Sequence, residues 1–255
     1  MPLRHNLRKR KVIGFFFFAP DRESDEFKIG VLQYARPTKH WAFVHVGRKD
    51  VMAQLARSDG FFAGGIGEFG SSALWEAARK APFPVLNLYG GRGFGGLPTV
   101  GVDDRAVGRM AAPHLMGQGL RNFGYFGLGD IGFSLGRRSG FTVELRRRGF
   151  TVQPFRHRTV YPVKTKFERT YIPWEDALVG WLLSLPKPCG VLCCDDMRAE
   201  WLSVVCQNIG LQVPEDISIL GVDDNPVYCE SASPPLSSVQ MPARQVGYEA
   251  ARLLD

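Results

Sequence analysis

Two short apolar runs, each followed by a pair of aspartates, constrain the fold of this chain more than any other feature. Residues 191–194 lead into the pair that begins at Asp195, and residues 217–220 lead into the pair that begins at Asp223. Between them, apolar residues recur at helical spacing until a glycine stops the pattern. Strand, helix and strand in this order predict a βαβ unit in a parallel sheet. Ligands bind beyond the carboxyl ends of such strands, so we expect Asp195 and Asp223 to point into one crevice.

The rest of the chain alternates in the same way. The predicted strands cover residues 12–18, 41–46, 61–63, 85–88, 100–102, 123–126, 150–155, 191–194 and 217–220. The predicted helices lie around residues 27–32 and 74–78 and over 51–57, 104–117, 134–147, 174–185 and 243–254, the last with Val246, Ala250 and Leu253 as its apolar stripe. Alternating strands and helices predict an α/β fold with parallel sheets.

Three motifs carry a resemblance to a known family. Residues 210–224 read G-L-x-V-P-x-D-I-S-I-x-G-x-D-D, residues 119–127 read G-x-x-x-F-x-Y-F-G, and residues 137–141 read R-x-x-G-F. Together with P-P-L-S-S-V at 234–239, they resemble the effector-binding domain of the LacI family of sugar-responsive repressors. The resemblance covers roughly residues 12 to 254. It implies the fold of the periplasmic sugar-binding proteins, in which two doubly wound parallel-sheet lobes flank a ligand cleft.

The resemblance also implies a division of the chain. We expect a basic amino-terminal arm at 1–11, a first lobe made of 12–118 with 237–255, and a second lobe made of 119–236. The last helix then returns to the first lobe. The chain ends before the third crossing between lobes that the family makes.

Candidate ligand-binding residues follow predicted strands. A sugar needs acceptors for its hydroxyls, a forked donor, and a ring that covers its apolar face. Asp195 and Asp223 supply acceptors. Arg137 occupies the arginine of R-x-x-G-F, which holds ligand hydroxyls in the resembling proteins, although a helix-surface arginine is the alternative. Phe133 precedes that helix and could stack on the sugar.

Four further candidates have equally good ordinary explanations. Asp103 stands between a predicted strand and a helix, so it either caps the helix or contacts the ligand. Asp21, Ser24 and Asp25 fall in the expected loop after the first strand. They face the cleft from the first lobe or belong to a solvated loop.

Other kinds of site are disfavoured. Gly91, Gly93 and Gly96 match the spacing of a dinucleotide fingerprint, but a strand follows them instead of the required helix. The five histidines are scattered, and the H-E-x-x-H motif does not occur. The five cysteines lack metal-ligand spacing, which indicates reduced packing residues in a cytoplasmic protein. We therefore predict a binding protein with no metal and no cofactor, and not an enzyme, although an enzyme on a doubly wound sheet stays an alternative.

The amino-terminal region points to one branch of the family. A short basic arm leads directly into the first strand, as in the xylose-operon regulators, which carry a LacI-like sensor first and an AraC-type DNA-binding domain after it. This resemblance implies a cytoplasmic, homodimeric sensor for xylose or another pentose. It would reach operator DNA through a domain expected after residue 255, and it has no membrane partner. The alternative is a solute-binding receptor for a sugar without a DNA-linked function.

Overall fold

A computed structural model describes residues 10–18, 22–37, 40–88, 95–129, 131–156 and 175–255. The strands in these ranges are β1 (Lys11–Phe16), β2 (Trp41–His45), β3 (Gly64–Gly67), β4 (Val85–Leu88), β5 (Thr99–Val100), β6 (Asn122–Phe126), β7 (Val152–Pro154), β8 (Cys189–Cys193), β9 (Ile217–Val222) and β10 (Ser237–Val239). The helices are α1 (Arg22–Ala35), α2 (Val51–Leu55), α3 (Ser72–Arg79), α4 (Asp104–Gly117), α5 (Gly132–Arg147), α6 (Glu175–Ser184), α7 (Asp196–Asn208), α8 (Pro226–Ser231) and α9 (Ala243–Leu254).

The chain divides into two compact units, and each holds one parallel five-stranded sheet. The first unit is Met1–Val102 with Pro242–Asp255, and the second is Asp103–Met241. The strand orders are β2-β1-β3-β4-β5 and, in the second unit, β7-β6-β8-β9-β10. Both follow the doubly wound order 2-1-3-4-5, in which the strand order reverses beside the first strand. The expected fold class is therefore confirmed.

The core of the first unit lies between its sheet and helices α1 and α9. Ile13, Phe15, Phe27 and Val31 are fully buried there with Ala250 of α9. The two helices approach very closely: a side chain at Gly30 would lie 2.0 Å from the carbonyl oxygen of Arg244, and one at Gly247 would lie 2.0 Å from that of Phe27. Glycine at both crossing points is what allows this contact.

Helices α4 and α5 of the second unit meet in the same way. A Cβ at Gly108 would lie 2.0 Å from the carbonyl oxygen of Arg137, and one at Gly140 would lie 2.0 Å from that of Arg105. This close pairing places α4 in the second unit. The boundaries expected from the sequence, near residues 118 and 236, are therefore displaced: the structure divides the chain after Val102 and after Met241.

Three helices end on a glycine two residues beyond their last turn. Gly119, Gly149 and Gly210 follow α4, α5 and α7 with φ values of 83°, 83° and 78°. This conformation favours glycine and closes the helix end. After α5, the Phe150 amide donates to the Leu145 carbonyl at 3.0 Å, which is the long-range bond of such an ending.

Two sequence predictions are wrong in detail. Residues 61–63 were expected to form a strand, but β3 begins at Gly64, and Phe61 is 39% exposed. The three glycines of β3 have close neighbours. A Cβ built at Gly64 would lie 3.0 Å from the Leu254 side chain, and one at Gly65 would lie 2.7 Å from the Phe16 ring. A Cβ at Gly67 would lie 2.4 Å from the Phe16 carbonyl oxygen. Leu253 does not join the apolar stripe of α9, since it is 59% exposed.

Candidate functional site

The carboxyl ends of β6 and β8 meet where the strand order of the second unit reverses. The Cys194 amide, just beyond β8, donates to the carbonyl of Phe126 at 2.8 Å. Helix α5 begins a few residues after β6, and its first turn is fixed by Ser134. The Tyr125 hydroxyl donates to the Ser134 carbonyl at 2.6 Å, and the Leu128 amide donates to Ser134 Oγ at 2.9 Å. These bonds hold the start of α5 against the strand ends where a ligand is expected.

Arg137 of α5 is the central side chain of this region. Its side chain is only 1% exposed. Its Nε donates to Asp104 Oδ1 at 3.0 Å, and Nη1 donates to the Cys194 carbonyl and, at 3.4 Å, to Asp223 Oδ1. The guanidinium thus joins residues from α4, β8 and the end of β9, so the helix-surface alternative for Arg137 is excluded.

Apolar groups complete the surroundings of the guanidinium. Its Cζ lies 5.0 Å from the centre of the Phe133 ring, a cation–π distance. Nη2 lies 3.8 Å from Met241 Sδ. Phe133 is half-buried, so part of its ring is accessible. The predicted pair of Arg137 and Phe133 is therefore in contact, whereas contact of either with a ligand stays a prediction.

Asp223 stands at the end of β9 in an unusual backbone conformation. Its φ is 115°, and that of Asp224 is 50°. Two bonds hold this turn: the Asp223 amide donates to the Val239 carbonyl at 3.0 Å, and the Asp224 amide donates to Ser238 Oγ at 3.0 Å. Positive φ at consecutive non-glycine residues is costly and persists only where the surroundings enforce it. The turn presents the Asp223 carboxylate, 28% exposed, beside Arg137.

Asp104 is the partner of Arg137 that sequence reasoning missed. It is the first residue of α4, and its side chain is 21% exposed. Burial raises the pKa of Asp104, and the neighbouring guanidinium opposes that rise. The only signal in the sequence was a second acid at the start of a predicted helix. Its contact with Arg137, 33 residues away, requires the helix pairing of α4 and α5.

Asp103 and Asp195 cap helices. Asp103 Oδ1 accepts from the Ala106 amide at 3.0 Å, and this bond is the main reason that the pKa of Asp103 is lowered. Asp195 Oδ1 accepts from the Arg198 amide at 2.9 Å, and its other oxygen pairs with the Arg198 guanidinium. Asp195 directly follows Cys194 in the sequence, and the Cys194 carbonyl accepts a hydrogen bond from Arg137. Ligand contact by either aspartate stays a prediction.

Asp196 stabilises the turn that carries Asp223. It is 1% exposed and accepts from the Asn225 amide at 2.7 Å and from Ser238 Oγ at 2.6 Å. Ser238 also accepts from the Asp224 amide. Burial raises the pKa of Asp196. The second acid of the first pair is therefore a structural support for the second pair.

Two of the three candidates of the first unit, Ser24 and Asp25, lie within the described residues, and ligand contact by either stays a prediction. Asp21 lies outside the described residues. Ser24 and Asp25 belong to α1, and not to a loop as expected. Ser24 is buried with its Oγ 3.3 Å from Glu68 Oε1, and Asp25 is 68% exposed and pairs with Lys28 at 2.8 Å. Helix α1 covers Arg22–Ala35. Phe27 and Val31 lie on its buried face, which packs in the core of the first unit.

The cysteines are packing residues. All five are buried and unpaired by disulfides. Burial raises the pKa values of Cys189 and Cys206 to about 12 and that of Cys194 still further, so these thiols are protonated at neutral pH. In the part of the chain that the structure describes, no cluster of His, Cys, Asp and Glu is arranged to hold a metal ion. Within the same ranges no helix is both long and apolar enough to cross a membrane.

Relatives of known function are transcriptional regulators. The chain is 24% identical to the xylose operon regulatory protein of Escherichia coli K12 over 251 residues, which cover 96% of this chain and 63% of that protein. It is 28% identical to the protein of the same name from Haemophilus influenzae over 160 residues, 62% of this chain and 40% of that protein. The chain therefore spans less than two thirds of these relatives.

Solved structures show the same fold. The structure of the xylose-binding transcription activator XylR matches with a TM-score of 0.76 at 22% identity, over 96% of this chain and 63% of that one. The complex of the transcriptional regulator CelR with cellobiose matches with a TM-score of 0.72 at 21% identity, over 97% and 78%. The family model described as a periplasmic binding protein-like domain matches residues 112–255. This chain belongs to the periplasmic binding protein-like family.

Proposed function

We propose that this chain is the sugar-sensing part of a transcriptional regulator and that its effector is a neutral monosaccharide, a pentose such as xylose. The names of the relatives support this proposal, since two are xylose operon regulatory proteins and one solved neighbour is described as xylose-binding. Another neighbour is complexed with D-xylulofuranose, at a TM-score of 0.67. Because the chain covers only part of these relatives, their DNA-linked activity belongs to the proposal as well.

The observation that carries the proposal is the buried Arg137 guanidinium beside the partly exposed Asp223 carboxylate. A carboxylate oxygen has two lone pairs, so Asp223 can accept from sugar hydroxyls while it stays paired with Arg137. The 3.4 Å distance between Nη1 and Oδ1 leaves room for the ion pair to tighten or to admit a shared hydroxyl. The accessible part of the Phe133 ring would cover a C–H face of the sugar.

The chemistry near Arg137 favours binding over catalysis. The groups that contact it include two carboxylates, a carbonyl, a thioether and an aromatic ring. Cys194, whose carbonyl binds Arg137, has a thiol pKa raised by burial, so this thiol is a poor nucleophile. We therefore propose a sensor and not an enzyme.

Calorimetric titration with D-xylose, D-ribose, L-arabinose, D-glucose and L-fucose tests the proposed ligand class. At least one of these sugars, with D-xylose first, should bind and be recovered chemically unchanged after prolonged incubation. Heat from none of them, together with tight binding of a nucleotide or an amino acid, would end the proposal. Conversion of the bound sugar into a product would instead make the protein an enzyme.

We further propose that operator DNA is read by an AraC-type domain outside these 255 residues, in a cytoplasmic homodimer whose spacing the sugar alters. Sequence-specific reading needs side chains that reach base edges, whereas basic surface residues contact only phosphates. These 255 residues alone should bind DNA weakly, with a dissociation constant on the order of 10⁻⁴–10⁻⁶ M at physiological salt. A gel-shift with the presumptive operator tests this, because a nanomolar, sequence-specific shift would reveal a reading element within the chain.

A further inference from the structure

Four arginines line two adjoining grooves on the surface of the second unit. One groove, of about 500 Å³, includes Arg138, Thr142, Arg146 and Arg156. The other, of about 630 Å³, includes Arg105 with the same Arg138, Thr142 and Arg146. The shared residues are four apart on α5, so they form one stripe along the helix.

The arginines of these grooves are more exposed to solvent than Arg137. Arg137 is fully buried, whereas Arg105, Arg146 and Arg156 are exposed and Arg138 is half-buried. The two sets of side chains therefore differ in burial, although Arg137 and Arg138 are neighbours in sequence.

The charges of these arginines are not balanced locally. Glu144, the nearest acid along α5, pairs with Arg147 at 3.9 Å and with Arg148 at 2.8 Å. Among the described residues, no carboxylate forms an ion pair with Arg105, Arg138, Arg146 or Arg156. Like charges that converge without counter-ions repel one another, and an anion bound between them relieves the repulsion.

The chemistry of the grooves selects a phosphate group. A guanidinium donates two parallel hydrogen bonds to phosphate oxygens, and several guanidinium groups can share one phosphate. The Thr142 hydroxyl adds a donor, and Val152 and Pro154 give the first groove an apolar wall. Concave spaces of this size suit a small organic ligand better than the extended backbone of a duplex.

We propose that these grooves bind a small phosphorylated metabolite, which makes them a second effector site distinct from the Arg137–Asp223 pair. The phosphate lies between Arg138 and Arg146, and Arg156 or Arg105 contacts it from the side. The organic part lies along the apolar wall. This inference holds whether or not the proposed sugar binds at the other site.

Calorimetry at low ionic strength with inorganic phosphate, pyrophosphate and glycerol 3-phosphate tests the site, with glycerol as the uncharged comparison. The phosphorylated probes should bind and glycerol should not. The double variant Arg146→Gln/Arg156→Gln should weaken phosphate binding by about 10- to 100-fold, as expected for the loss of charge-assisted hydrogen bonds.

The matched control is Arg147→Gln/Arg148→Gln, which also removes two positive charges, both at the carboxyl end of α5. It should change phosphate affinity by less than about threefold, since through-solvent effects of exposed charges are small. The melting curve of Arg146→Gln/Arg156→Gln should coincide with that of the unmodified chain, because both side chains are exposed. The control loses its two ion pairs with Glu144, so its melting temperature should fall slightly. D-xylose affinity should be the same in both variants.

Three results would overturn the inference. They are no binding of any phosphorylated probe, equal losses in the two double variants, and binding of a short DNA duplex without binding of the small phosphates. The last result would make the grooves a nucleic-acid surface instead.

Discussion

Replacing Arg137 by methionine should destabilise the second unit strongly. Methionine keeps most of the length and apolar surface of the side chain but removes the guanidinium. In the variant, two carboxylates lose their ion-pair partner: that of Asp104, which is 21% exposed, and that of Asp223, which is 28% exposed. The buried Cys194 carbonyl also loses its hydrogen-bond donor, Nη1 of Arg137.

The magnitude follows from the three contacts. The 3.0 Å charged bond to Asp104 contributes about 1.5–3 kcal/mol, since it is largely buried. The 3.4 Å contact with the more exposed Asp223 adds about 1 kcal/mol or less, because solvent screens it. The carbonyl bond adds about 1 kcal/mol. The sum, about 3–5 kcal/mol, agrees with the usual cost of breaking a buried ion pair.

The loss of stability should also depend on pH. Burial raises the pKa of Asp104 in the folded chain, and removing the opposing guanidinium should raise it further. A carboxyl group with a raised folded pKa contributes stability below its unfolded pKa and loses that contribution as pH rises through the folded pKa. The destabilisation by Arg137→Met should therefore be largest near pH 8 and shrink as pH falls toward the pKa of Asp104.

Urea unfolding at several pH values measures this effect, and Arg109→Met is the control. Arg109 lies on α4 and pairs with Asp103, but the two side chains are 43% and 62% exposed, so its loss should cost about 0.5 kcal/mol. Arg137→Met should lower the urea midpoint by about 1–2 M at an ordinary slope. A loss below about 1 kcal/mol at pH 8, or equal losses in the two variants, would refute the stabilising role of the Arg137 cluster.

Two further predictions concern the supports of this site. Asp196→Ala should cost about 2–3 kcal/mol by urea unfolding, since two partly buried donors, the Asn225 amide and the Ser238 hydroxyl, lose their acceptor. Asp196→Asn should cost less, because an amide can still accept one bond and donate to Ser238; equal costs would show that the carboxyl oxygens are not what matters. Gly108→Ala should cost about 1–3 kcal/mol because its Cβ would overlap the Arg137 carbonyl, whereas Gly117→Ala on the same helix meets nothing and should be neutral or slightly stabilising; a neutral Gly108→Ala in thermal melts would contradict the close helix pairing.

Much of the fold was predictable because buried strands and helices produce simple hydrophobic patterns in the sequence. The fully buried run 85–88 and the capped helix 104–117 have the predicted bounds in the structure, as does α9. The βαβ unit that carries the two aspartate pairs is also confirmed, since β8 and β9 are parallel neighbours. Periodicity and capping residues act locally, so a single sequence records them well.

Long-range packing explains the failures. The glycines of strand β3 lie close to Phe16 and Leu254, and nothing near residue 64 in the sequence indicates these contacts. The unit boundary at Val102 follows from the contact of Gly108 with α5. Strand β10 was not predicted, since it has three residues and its hydrogen bonds lie with β9. Helix α8 was not predicted either, because its six residues are too few to show a helical period.

The candidate site was predicted in part. Arg137, which the family resemblance singled out, contacts two other candidates, Phe133 and Asp223. The roles within each aspartate pair were not predictable. A carboxylate after a strand can cap a helix, as Asp195 does, or support a neighbouring turn, as Asp196 does, and both patterns look alike in the sequence.

The affinity of Asp223→Asn for D-xylose tests the central claim most directly. Asparagine tolerates the positive φ of this position as aspartate does, so the turn should persist and the melting curve should change little. The substitution removes the charge and one acceptor oxygen. We expect it to weaken xylose binding by about 10- to 100-fold or more, as the loss of a charged hydrogen-bond partner does. Unchanged affinity with a lowered melting temperature would assign Asp223 to the structure and contradict the proposed sugar site.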